Sequence, residues 1–66
     1  MDYYILTISN EYETYNDSLI NLIRSLGGIY TTVNTKDGTV YEISFRIIGQ
    51  MDKFKKALNE KLPFIS

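Results

Sequence analysis

The chain is expected to fold as an α+β domain, with two helices laid on one face of an antiparallel sheet. Three observations predict this: short stretches in which apolar residues alternate, longer stretches in which they recur at helical spacing, and the order of the two kinds. Strand, helix, strand, strand, helix is the split βαβ, or ferredoxin-like, plan. The 66 residues are expected to form a single domain, 1–66, with a small core. A domain of this size buries only about 60% of the surface its unfolded chain exposes, so a deep pocket would compete with the core.

The first stretch, "YYILTIS" from Tyr3 to Ser9, is bounded and rich in aromatic and β-branched residues, which marks a strand with Tyr4, Leu6 and Ile8 on one face. Asn10 to Thr14 is polar. Thr14 with Asp17 gives a capping-box-like helix start, and Asn10 with Glu13 is the alternative. Tyr15, Leu19, Leu22, Ile23 and Leu26 then fall on one side of a helix that Gly27 and Gly28 stop. Ile29 to Asn34 and Thr39 to Ile48 alternate as strands. "TKDG" between them should turn a hairpin with Gly38 at positive φ.

In the longer strand Tyr41, Ile43, Phe45 and Ile47 are expected on the buried face, and Glu42, Ser44 and Arg46 on the open one. Gly49 can serve as N-cap of the second helix, with Asp52 in its first turn and Met51, Phe54, Leu58 and Leu62 as its buried stripe. Pro63 ends it, and "PFIS" leaves room only for a short final strand. The core is expected to draw on Tyr4, Leu6, Ile8, Leu19, Leu22, Ile23, Leu26, Ile43, Phe45, Phe54 and Leu58.

A net charge of −1 and a pI near 5.1 argue against broad electrostatic capture of nucleic acid. Lys53, Lys55, Lys56 and Lys61 point in four directions around a helix that advances about 100° per residue, so they read as solvated surface. Without histidine or cysteine, the chain lacks the parts of a Ser-His-Asp or Cys-His arrangement, of a disulfide framework and of a zinc-ribbon site. Its acidic residues are scattered, with only Glu42 inside a strand. An enzyme is not expected, nor a cofactor or metal. No apolar run approaches the roughly 20 residues that cross a bilayer, and a cytoplasmic setting is expected. The usage of Ile, Tyr, Asn and Lys is that of AT-rich coding sequence, as in many low-GC bacteria and their phages.

The succession "ILTIS", "LIRSLGG", "IYTTVN", "GTVYEISFRI" and "MDKFKKALNEKL" resembles ACT domains, small regulatory modules that sense ligands, over nearly the whole chain. The resemblance implies a dimer and an amino-acid ligand near the loop between the first strand and first helix. Asn16, Asp17 and Ser18 occupy that place here, and Asp17 would meet an ammonium group. The glycine that the family uses for close backbone approach is absent, which leaves helix capping as the competing role of Asp17. A weaker resemblance is to small ferredoxin-like nucleases of the CRISPR adaptation and antitoxin type. Where those of the CRISPR type carry an acidic residue after the first strand, this chain has Ser9 and Asn10.

The open sheet face is the surface with the composition of an interaction site. Tyr3, Ile5 and Thr7 are expected there beside Tyr30 and Thr32 and beside Glu42, Ser44 and Arg46. The candidate binding residues are therefore Tyr3, Ile5, Tyr30, Thr32 and Arg46, with Asp17 from the resemblance. The function expected is a small dimeric module that regulates or inhibits a protein partner or senses a small ligand. The alternative is a nucleic-acid-binding or ribonuclease-like dimer that uses Arg46, Lys36 and the two tyrosines. The partners expected are a second copy and another protein, and no membrane.

Overall fold

The computed structural model describes residues 3–65. Strand β1 (Tyr3–Ser9) runs into a 3-10 segment (Asn10–Tyr15), helix α1 (Asn16–Ser25), strands β2 (Ile29–Thr35) and β3 (Gly38–Ser44), and helix α2 (Gln50–Lys61). Both outer strands pair antiparallel with β3, giving the sheet order β1-β3-β2. This is the split βαβ plan, with β1 and β2 parallel to each other and β3 inserted between them. Residues 63–65 form a turn that adds no strand to β1, in contrast to the short final strand expected from "PFIS". Ile65 is nevertheless buried there, held by a bond from its N–H to the Leu62 carbonyl at 3.1 Å.

The core lies between the sheet and both helices. It comprises Leu6 and Ile8 of β1, Leu19, Leu22 and Ile23 of α1, Tyr41 and Ile43 of β3, Phe45 just after that strand, Phe54 and Leu58 of α2, and Leu62 and Ile65 beyond it. Tyr4 and Leu26 pack against it half-buried. The Phe54 ring is at the centre, 6.0 Å from the Tyr4 ring and 5.5 Å from the Phe45 ring. Burying such a side chain contributes on the order of 2–3 kcal/mol.

The helix boundaries follow from backbone hydrogen bonding. Gly27 (φ 76°) closes α1: its N–H reaches the Arg24 carbonyl, and the Gly28 N–H reaches Ile23 at 2.9 Å, the double bond of a Schellman cap. Gly49 (φ 91°) takes the N-cap place of α2, as its permissive backbone allows. At the start of α1 the expected Thr14 cap is not formed. The chain first makes a 3-10 segment kinked at Tyr12, and no side chain caps the helix. Asn16 instead donates its side-chain N–H to the Glu13 carbonyl at 2.8 Å and accepts a hydrogen bond from the buried Tyr41 hydroxyl. Burial, and then the neighbouring Tyr30 and Asp17, push the Tyr41 hydroxyl pKa above its ordinary value of 10.0.

Two expectations about β3 need correction. The strand ends at Ser44, so Arg46, Ile47 and Ile48 belong to the connection to α2, and Ile47 is 67% exposed, outside the core. Gly38 is required for a different reason from the one expected, because the glycines at positive φ are Gly27 and Gly49. A Cβ at Gly38 would lie 2.1 Å from the Ile8 carbonyl oxygen, so it is the close approach of β1 that excludes a side chain. The turn at Lys36 and Asp37 is organised by the Thr35 hydroxyl, which accepts from the N–H groups of Asp37 and Gly38 at 3.3 and 3.2 Å. Asn10 clamps it from the other side: its side chain donates to the Lys36 carbonyl at 2.7 Å and its backbone N–H to Asp37 at 3.0 Å.

Candidate binding surface

Directly opposed residues of neighbouring strands share a face, so the register decides what the uncovered side of the sheet carries. Reading across β1, β3 and β2, its rows are Tyr3, Ser44, Ile29; then Ile5, Glu42, Thr31; then Thr7, Val40, Val33; then Ser9, Gly38, Thr35. Tyr3 (60%), Ile5 (58%), Ile29 (54%) and Val33 (63%) stand exposed on it. Glu42 is the one charged residue of the four rows, in the middle strand.

Two of the candidate residues are not on this surface. Tyr30 is opposed to Ile43 and Thr32 to Tyr41, which puts both on the helix side, and the Tyr30 ring sits 5.9 Å from the Tyr41 ring. The places assigned to them on the open side belong to Ile29, Thr31 and Val33. Tyr3 and Ile5 are where the sequence put them. Arg46, just past the strand, lines an open cleft of about 680 Å³ with Tyr3, Ile47, Ile48, Asp52 and Lys55 at the end of the sheet. Asp17 is exposed in the first turn of α1, where its carboxylate suits the helix dipole, while the adjacent Asn16 is committed to Tyr41 and Glu13.

Lys36 sits in the hairpin turn and Arg46 beyond the far end of β3. A seven-residue strand spans roughly 20 Å, so these two cations do not join in one basic track. The lysines of α2 diverge as expected: Lys55 places its ammonium 5.3 Å from the centre of the Tyr4 ring, while Lys61 lines a groove with Ser18, Asn21 and Ser25 of α1. No three acidic side chains converge among the described residues, and no described helix is long and apolar enough to cross a membrane.

The outer edge of β1 has its own geometry. The bond from the Asn10 N–H to the Asp37 carbonyl continues the β1–β3 ladder by one rung. Antiparallel rungs recur at every second residue, so Tyr4, Leu6 and Ile8 bond to β3 and the backbone groups of Tyr3, Ile5 and Thr7 point outward. No further strand lies beyond β1 among the described residues. The strand contains no proline and no charged residue. No protein-family model matches the chain, and comparison with curated proteins and with solved structures returns no match.

Proposed function

We propose that this chain is a non-enzymatic binding module that pairs with a second copy along the β1 edge and regulates or inhibits a protein partner. The observation that carries this reading is the unprotected first strand: an uncharged, proline-free edge of outward-pointing backbone groups, flanked by exposed Tyr3 and Ile5. Such an edge is a template for another strand, and natural monomers usually guard it with lysine, proline or a bulge. Antiparallel pairing of two β1 strands joins the sheets into one of six strands and adds cover to a domain whose own burial is marginal.

The regulatory part of the reading draws on the resemblance to ACT domains, which are dimers. A protein partner is favoured over an amino-acid ligand because Asn16, at the loop where that family binds its ligand, is already used within the fold. Sedimentation equilibrium at micromolar concentration tests the pairing. The expected mass is twice the 7.7 kDa of the chain, falling to the single-chain value for Ile5→Lys, which sets like charges near the middle of the joined strands. A parent protein that stays at 7.7 kDa across the concentration range overturns the dimer.

A further inference from the structure

The two ends of β1 lie beside opposite charges. Next to its first residue is the cleft of about 680 Å³, whose lining includes the cations Arg46 and Lys55 and the carboxylate of Asp52. Neither cation is held in an ion pair among the described residues, and Lys55 sets its ammonium over the Tyr4 ring of the edge strand itself. Directly after the last residue comes the 3-10 segment, which carries Glu11 and Glu13, both exposed, and no basic side chain. Antiparallel pairing of two copies reverses the strand. It therefore brings the acidic end of each copy to the basic end of the other.

Backbone parity limits how the two strands can slide. Only residues whose N–H and C=O groups point outward can bond to a second copy, and these are Tyr3, Ile5 and Thr7, with Ser9 of the same parity at the strand's end. With the two-fold axis beside Leu6, all seven residues overlap. Tyr3 then opposes the second copy's Ser9, Tyr4 its Ile8 and Ile5 its Thr7, and no charged side chain enters the ladder. Moving the axis to Ile5 or Thr7 leaves two residues of each strand without a partner. In the full overlap, the acidic segment that follows the second copy's Ser9 enters at the mouth of the cleft that Tyr3 lines. We propose that Glu11 and Glu13 of each copy bond to Arg46 and Lys55 of the other, two symmetric charge contacts that lock the β1 edges in this register. The proposal rests on the edge-pairing reading and adds what makes a second copy, and not another strand, the fitting partner.

Charge reversal in two separate proteins tests this. One carries Arg46→Glu and Lys55→Glu, the other Glu11→Lys and Glu13→Lys. All four side chains are exposed, and urea denaturation checks that each protein folds. Either protein alone sets like charges together at both contacts and should dimerise at least about tenfold more weakly than the parent in sedimentation equilibrium. Mixed one to one, they bring opposite charges together at both contacts and should form a mixed dimer within about threefold of the parent's affinity. Because the chain has no cysteine, the register is read by oxidising a mixture of Ile5→Cys and Thr7→Cys proteins. These positions are directly opposed, about 5.5 Å apart between Cα atoms, so the mixed disulfide should outrun either self-linked one. Reversed proteins that dimerise like the parent, a mixture that stays monomeric, no mixed disulfide, or a self-linked Ile5→Cys disulfide that outruns the mixed one each overturns the proposal and leaves the edge pairing standing. A parent protein that is monomeric throughout overturns both.

Discussion

The two faces of this sheet are built from the same three strands and differ in almost everything else. On the helix side Leu6, Ile8, Tyr41 and Ile43 are nearly sealed from solvent, and the polar atom introduced there, the Tyr41 hydroxyl, has Asn16 as its partner. On the other side Tyr3, Ile5, Ile29 and Val33 are apolar and more than half exposed, with a carboxylate among them. Adjacent residues of one strand, Leu6 at 7% exposure and Ile5 at 58%, thus face opposite demands. The difference teaches that the apolar content of a small domain is not confined to its core: the side chains the helices never reach are held only by their cross-strand neighbours, and together they form the contiguous exposed surface on which the proposed association rests.

The largest effect should come from the helix side. Phe54→Ala removes a fully buried ring from between Tyr4 and Phe45 and should lower the unfolding free energy by about 3–5 kcal/mol, measured by urea denaturation. Phe45→Ala belongs to the same class. A parent-like melt for either variant breaks the comparison, because it would mean that the helix side is not the core. Gly38→Ala comes next. The added methyl would collide with the Ile8 backbone, and a loss of about 1–3 kcal/mol is expected, with the β1–β3 amide protons losing exchange protection first.

Tyr41→Phe sharpens the comparison through pH. Its hydroxyl pKa is raised in the folded state, first by burial, so the folded protein favours the protonated phenol. The stabilisation is fully present below the unfolded value of about 10 and is lost as pH rises through the higher folded value. The parent should therefore weaken at alkaline pH. The phenylalanine variant should lose about 1–3 kcal/mol at neutral pH, because Asn16 loses its donor, and its alkaline decline should be shallower. Identical alkaline profiles would remove Tyr41 as the titrating group.

Most of the fold was legible in the residues, because each element carries a local signal: alternation in "YYILTIS", helical spacing from Tyr15 to Leu26, and the Gly27-Gly28 stop. Half of the candidate surface was legible as well, since β1 alternates plainly. The second strand misled because Tyr, Thr and Asn alternate there without a clear apolar side, so composition alone does not phase it. The missing information lay in the hairpin. A turn over Thr35–Gly38 that closes on Asn34 and Thr39 already sets Tyr30 against Ile43, and thereby on the helix side. The end of β3 was unreadable for a different reason: "FRII" continues the alternating pattern, yet Gly49 and the start of α2 draw the chain out of the sheet after Ser44. The apolar Ile47 and Ile48 that result are exposed.

The smallest expected effect is also the most direct test of the claim that the first strand works between chains. Ile5→Ala is to be followed by urea unfolding at two protein concentrations, one near 0.1 µM and one near 100 µM, both on the order of the range that brackets a micromolar association. At the lower concentration the variant should match the parent within about 0.5 kcal/mol, as an exposed position in a single chain does. At the higher concentration it should fall behind, because pairing of two β1 edges would set the Ile5 side chain against side chains of the second copy's β1 on the same face. An equal loss of several kcal/mol at both concentrations would place Ile5 in the core of the single chain, and no loss at either would deny the first strand and its open face any role in association.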